Sequence, residues 1–512
     1  MTQATPAGFR VDLDAGTKQL GDGSLFGGSP GRIMRLTAAG TAALAELQRG
    51  PVRSAAAGQL ARRLTDGGLA HPVPSDAAAA AAAGASVTVL IPVRDRAEML
   101  ERCLAAVGAE HPVVVIDDGS ADPRAVAAIC ARHGAALRRR DASGGPAAAR
   151  NTGLTGISTE LIAFLDSDCI PPPGWVSQLA AHFADPLVGA VAPRIVAPRI
   201  VAPRIVAPRI AAPLIAPPGS ASTSSPAVRY AAVCGSLDLG PRPARVQPGS
   251  RVSYVPTAAL LVRRAALDAV SAGRDPFDPG LRYGEDVDLV WRLHEAGWRI
   301  RYEPAVEVPH EGPADWTGLL GRRFRYGTSA APLARRHPAN LAPLVLQPWP
   351  AITVAALLAR RPAAAAAAVV AAWLGIASAV RRAGVPADGA PAATLTAVRQ
   401  TWLGVGRYAT QFAAPVLLLG LARPGGTTTV RRVGRRVAVA SLLLGPALTA
   451  YAERKPELDP VRFSLAHIAD DVCYGAGVWA GCLRERTIVP LRPAISVRPL
   501  SVGGPHSRKR KG

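Results

Sequence analysis

Between residues 161 and 168 an apolar run ends abruptly in two acids, Leu-Ile-Ala-Phe-Leu-Asp-Ser-Asp. The run is long enough to be a buried strand, and nothing in it is polar. In an extended segment side chains at i and i+2 point to the same side. Asp166 and Asp168 are therefore expected to project together at the strand end. Two carboxylates so placed repel each other unless a cation sits between them. Hard oxygen ligands with little else nearby favour Mg²⁺ or Mn²⁺, with a partner phosphate completing the shell. An isolated Asp-X-Asp is more often a solvated turn, so the reading depends on what surrounds it.

The surroundings are α/β. Residues 87–92 form a continuous apolar strand, Ala97 to Val107 a helix, residues 113–116 the next strand, and Pro123 to His133 another helix. Buried strands alternating with helices predict a parallel sheet covered on both faces, with ligands at the carboxyl ends of the strands. Residues 87–335 are expected to make this domain. Before it lie a small unit, residues 1–75, and an alanine-rich linker, residues 76–86. In the small unit Thr37 caps a helix through Leu47, and Ala56 to Leu64 form a second. Two helices with short strands resemble winged-helix-like modules that hold peptide precursors. The first residues carry no apolar stretch of a secretory signal.

Residues 191–215 hold four perfect copies of Val-Ala-Pro-Arg-Ile and a degenerate fifth. Proline at every fifth position opposes helix and central strand, so the first copy is expected to end a strand, Val188 to Val191, and the rest to be a tolerated loop expansion. Residues 336–490 are strongly apolar, with candidate helices Ile352–Leu358, Ala363–Val380, Thr394–Leu421 and Val437–Ala450 flanked by arginine pairs. Such helices are expected to lie on or shallowly in an acidic membrane surface, on the cytoplasmic face, with a buried helical bundle as the alternative. Residues 491–512 are a basic tail. The net charge is +22, from 59 basic and 37 acidic residues, and only four of the basic residues are lysine. This suits an anionic partner such as nucleotide phosphate or acidic lipid. No basic stripe with interleaved aromatics appears, which argues against nucleic acid. The six cysteines form no Cys-X-X-Cys, as expected of reduced cytosolic thiols.

Four motifs carry the chemistry. Asp117-Asp118-Gly119-Ser120 follows a buried strand and can accept hydrogen bonds from a base or ribose. Arg150-Asn151 follows a glycine-rich turn and offers a guanidinium fork to a diphosphate. Asp166 and Asp168 are the third. Glu285-Asp286-Val287-Asp288 opens a helix with more acids than a cap requires.

In order and spacing these motifs resemble those of family 2 glycosyltransferases, over roughly residues 87–330. The resemblance implies a GT-A fold, with Pro92, Arg94, Asp117 and Asp118 holding the nucleotide and Asp166 and Asp168 binding the metal. His310 would be a third metal ligand. Asp286, beside Glu285 and with Asp288 as the alternative, would be the catalytic base. The family's processive members carry a Gln-X-X-Arg-Trp motif, replaced here by Arg322-X-X-Arg325-Tyr326, whose arginines would reach the diphosphate. Segments 25–30, 253–256 and 325–329 further resemble a branch that builds a β-1,4-linked glucose chain on a peptide-derived redox cofactor from UDP-glucose. Alternatives are a cell-wall or lipid-linked glycan transferase, or a membrane-attached binding protein with an inactive transferase fold. Residues 404–409 match a dinucleotide fingerprint, but no strand precedes them and no acid follows about twenty residues on, so a dehydrogenase is disfavoured.

Overall fold

The computed structural model describes residues 3–20, 23–198, 225–382, 387–423, 429–496 and 501–503. Eight strands form the central sheet: β1 (Val87–Val93), β2 (Val113–Asp118), β3 (Ala136–Arg140), β4 (Leu161–Leu165), β5 (Val188–Val196), β6 (Ala244–Val246), β7 (Ala259–Arg263) and β8 (Arg299–Pro309). Their spatial order is β6-β8-β5-β7-β4-β1-β2-β3. The expected parallel sheet holds for β3, β2, β1 and β4. It fails at β7, which runs antiparallel to β4 and to β5, so the sheet is mixed. β7 is as uniformly apolar as a buried parallel strand, so its direction is set by the strands it pairs with and not by its own residues. Two apolar layers, one on each face, bury the sheet.

β5 continues through the first Val-Ala-Pro-Arg-Ile copy to Val196, farther than expected. Pro193 is accommodated at a register shift against β8, where a missing N–H costs least. Residues 199–215 of the repeat lie outside the described residues, as does most of the basic tail. Residues 501–503 pair in parallel with Arg32–Met34.

In the N-terminal unit Thr37 and Ser54 cap the helices Ala38–Arg49 and Ala55–Asp66. The unit is fastened to the sheet domain by buried charge: Arg62 holds Asp185 at 2.8 Å with both side chains 2% exposed, and Arg299 holds Asp66 at 2.9 Å. The expected linker is a helix, Asp76–Ala82, capped by Ser75.

Among the described residues the apolar C-terminal region comprises five α-helices, Pro348–Leu358, Pro362–Arg382, Ala390–Ala422, Thr429–Arg454 and Pro460–Glu485. Four match the expected positions; the last was not foreseen. Residues 362–382 and 432–454 are long and apolar enough to cross a membrane, and only 22% and 11% of their apolar windows are buried in the protein. Neither is a core helix, so their apolar surface is available to a membrane.

The Pro460–Glu485 helix packs against Trp316–Thr328 and Ala390–Ala422 at near backbone contact. A Cβ on Gly477 would lie 2.0 Å from the Phe324 carbonyl oxygen, and one on Gly475 would lie 1.7 Å from that of Gln411. The second contact has a specific origin. Pro415 cannot donate to the carbonyl four residues before it, which is Gln411, and the helix kinks at Ala413.

Candidate active site

A cavity of about 1070 Å³ opens at the carboxyl edge of the sheet. Asp166 and Asp168 reach it from the turn after β4. Asp166 N donates to Ala258 O at 2.9 Å, and Cys169 N donates back to Asp166 O at 3.0 Å. The pair therefore sits in a turn, not the extended segment expected, and the two side chains find different partners. Asp168 accepts from Arg96 Nη1 at 2.5 Å, and His310 Nε2 lies 3.4 Å from its other oxygen. His310 is brought there by main-chain pairing: Cys169 bridges to His310, and Glu311 N donates to Asp168 O at 2.9 Å.

Arg150 joins the two acidic motifs. Its helix, Gly145–Leu154, packs on β1 and β2 where Gly153 allows close approach to Ile116. Arg150 Nη2 donates to Asp166 and Nη1 to Glu285, both at 2.8 Å, and the guanidinium lies 5.6 Å from the Phe277 ring centroid. Burial alone would lower its pKa; the charges of Asp166 and Glu285 outweigh that and raise it. Gly284, at φ 83°, lets the Glu285–Glu295 helix begin hard against Leu333 and Ser329. Asp286 then faces the cavity. Burial pushes its carboxyl up to about 7, helped by the neighbouring charge of Glu285.

Not every expected residue reaches the cavity. Pro92, Arg94, Asp118, Arg150, Asp166, Asp168, Glu285, Asp286, His310, Arg322 and Arg325 line it. Asp117 is fully buried behind the wall, accepting from Ser120 N at 2.8 Å and from Arg139. Asn151 clamps the backbone of Phe277, donating to its carbonyl at 2.7 Å and accepting from its N–H at 3.1 Å. Asp288 is turned inward, held by Arg292 at 2.8 Å and His337 at 3.0 Å. Asp118 shapes the glycine-rich turn, accepting from the backbone of Gly144 at 3.0 Å and Gly145 at 2.8 Å. Arg322 and Arg325 have no acidic partner among the described residues.

Sequence reasoning missed the far wall. Arg407, Tyr408, Gln411, Phe412, Asp471 and Tyr474 line the cavity from the C-terminal helices. The glycines at 404 and 406 sit inside the Ala390–Ala422 helix, where Gly406 packs on the Leu442 carbonyl; they belong to helix packing, not to a dinucleotide loop. Arg96 also went unnoticed, since a lone arginine after a strand carries no signal of its own.

Among the described residues no three His, Cys, Asp or Glu side chains converge as a metal cluster. The donors at hand are the buried Asp168–His310 pair, with Asp166 two residues away and turned to Arg150. A carboxylate and an imidazole at a cavity wall fit Mg²⁺ or Mn²⁺ when diphosphate oxygens supply the remaining ligands.

A mixed α/β sheet with acids gathered at its carboxyl edge defines a GT-A-like glycosyltransferase. Residues 88–226 match the family described as Glycosyl transferase family 2. Over 504 residues the chain is 37% identical to the pre-mycofactocin glycosyltransferase of Mycobacterium tuberculosis, covering 96% of this chain and 98% of that one. The glycosyltransferase AglE of Haloferax volcanii is 36% identical over 101 residues, 18% of this chain and 33% of that protein. The mannosyltransferase PcManGT of Pyrobaculum calidifontis, solved with GDP-mannose and Mn²⁺, covers 70% of this chain and 87% of its own at 20% identity. Its TM-score of 0.35 is too low to bear on the site. The chain belongs to the family 2 glycosyltransferases and is an enzyme of glycosyl transfer, which sets aside the inactive-scaffold and dehydrogenase alternatives.

Proposed function

We propose that the chain transfers glucose from UDP-glucose to a hydroxyl of pre-mycofactocin, a peptide-derived acceptor, with inversion, building a β-1,4-linked chain. The acceptor is supported by the full-length likeness to the mycobacterial enzyme of that name. The chemistry rests on one observation: the Arg150 guanidinium touches both Asp166 and Glu285, so donor-side and base-side acids share one cavity.

Asp286 is the base. A carboxyl raised towards neutrality by burial can take the acceptor proton as the new glycosidic bond forms. Attack from the face opposite the departing diphosphate inverts the anomeric centre, turning an α-linked donor into a β-glycoside. Arg150 orients Glu285 and Asp166 and keeps the charge of this acid cluster tolerable. Arg322 and Arg325 are free to meet diphosphate oxygens. Asp168 and His310 would hold a divalent cation, which when bound neutralises charge on the leaving diphosphate. Pro92, Arg94 and Asp118 border the nucleotide end of the cavity.

The largely exposed apolar helices 362–382 and 432–454, with arginines at their ends, support the reading that the enzyme works at the cytoplasmic face of a membrane. Incubation with a panel of nucleotide sugars and pre-mycofactocin, read by mass, tests the assignment. Added 162-Da units are expected from UDP-glucose; no addition from any donor would overturn it.

A further inference from the structure

A seam of arginines joins the N-terminal unit to the transferase sheet, and none of its residues lines the catalytic cavity. Strand register alone makes the seam costly. Arg245 of β6 stands directly opposite Arg301 of β8, and like charges opposed across a sheet repel. Arg299, two residues before Arg301, shares its face of the sheet. The N-terminal unit lays the end of its Ala55–Asp66 helix over this face and brings a further guanidinium, Arg62.

The acids at the seam are too few. Asp185 is taken by Arg62 at 2.8 Å. Asp66 is taken by Arg299 at 2.9 Å, while Arg245 donates to the Asp66 carbonyl and stands 4.0 Å from its carboxylate. Glu303, the next acid along β8, turns to His182 at 3.2 Å, and Asp14 turns to His71 at 2.8 Å. Arg301 is left over. It is 3% exposed, and among the described residues its Nε, Nη1 and Nη2 have no hydrogen-bond partner. The buried Arg245 Nε has none either. Four guanidiniums therefore share two carboxylates, Asp66 and Asp185. Burial pushes Arg301 down to about 10; Asp66 and Asp185 oppose that shift, and Arg245 and Arg62 add to it.

A guanidinium buried without a partner is costly, and buried charges are ordinarily paired. Its parallel N–H groups fit two oxygens of an oxyanion, or close on a halide. The seam is sealed, with Arg62 and Asp185 each 2% exposed, so the partner must be small. We propose that Arg301, with Arg245, binds a small inorganic anion, phosphate or chloride, which fastens the N-terminal unit to the sheet. The anion accepts from the unpaired N–H groups of both arginines and takes up the excess positive charge.

The test is thermal melting of the full chain as gluconate, too bulky for a sealed site, is exchanged for chloride or phosphate at constant ionic strength. The wild type is expected to melt about 2–5 °C higher in chloride, in phosphate or in both, and the ion that acts is the ligand. Arg301→Leu should lose that rise, since an apolar side chain needs no counter-charge. The double substitution Arg322→Gln and Arg325→Gln, which removes guanidiniums from the catalytic cavity, should keep it. A wild type that responds to neither ion has these N–H groups met by water, and that result overturns the proposal. So does a rise that survives in a folded Arg301→Leu variant, or one that the double substitution abolishes. Should Arg301→Leu not fold, anomalous diffraction from wild-type crystals soaked in bromide or selenate decides: a peak against the Arg301 guanidinium supports the site, and its absence with both ions overturns it.

Discussion

The two walls of the cavity are built on different physical terms. The sheet-edge wall is charged and locally encoded: each acid follows a buried strand or opens a helix, and its place is fixed within a few residues of chain. The helical wall is aromatic and assembled at long range, by glycines that let three helices meet at backbone distance. The first wall can carry charge because Arg150 and Arg96 stand against its acids. The second pairs its own charges, Arg323 with Asp470 and Arg407 with Asp471, and adds aromatic surface.

The largest effect is expected on the charged wall. Asp286→Asn should lower kcat by about 10²–10⁴-fold, with UDP-glucose binding retained in a direct binding assay. Loss of binding together with turnover would mean that Asp286 is not simply the base. Asp168→Ala takes away the partner of both Arg96 and His310; metal-dependent transfer should be abolished in a protein that stays folded, and turnover at the wild-type level would remove the metal assignment.

On the helical wall, Gly477→Val must drive the Pro460–Glu485 helix off Phe324. A loss of about 1–3 kcal/mol is expected, read by thermal or urea denaturation, with the acceptor KM rising more than the donor KM. An equal rise in both would show that the walls are not independent.

The pH response separates base from binding. With Asp286 pushed up to about 7, its ionised fraction grows through neutrality, so kcat/KM should climb between about pH 6 and pH 8 and then level off. Stability responds with the opposite sign. The folded protein holds this proton more tightly than the unfolded chain, so the group's stabilising contribution is whole below the ordinary aspartate range and is lost as pH rises towards 7. An activity profile flat across this range would count against Asp286. The smallest effect is expected from deleting residues 201–210, two copies of the repeat beyond the end of β5. Steady-state turnover should change less than about twofold, since loop shortening alters closure entropy little.

Much of the charged wall was legible in the sequence, because a buried strand that ends in acids announces both its fold and its polar edge. The Asp-X-Asp pair was read this way, Glu285-Asp286 as acids opening a helix, and His310 only through the family resemblance; all of them reach one cavity. Asp117, Asn151 and Asp288 carry the same residue signals yet face inward onto Arg139, Phe277 and His337. Local pattern gives a carboxylate's position along the chain but not the side of the wall it faces. The Pro460–Glu485 helix went unseen because Gly475, Gly477, Gly481, Asp470 and Asp471 break its apolar periodicity. Those residues are present for its neighbours, not for the helix itself.

The sequence by itself determined the α/β core, the acids at its edge and the family, since each depends on residues close together in the chain. Only the tertiary structure decided the antiparallel turn of the sheet at β7, the Arg150 bridge and the tyrosine-lined roof. These depend on contacts between segments up to hundreds of residues apart, and such contacts leave no periodicity for a reader of the chain to follow.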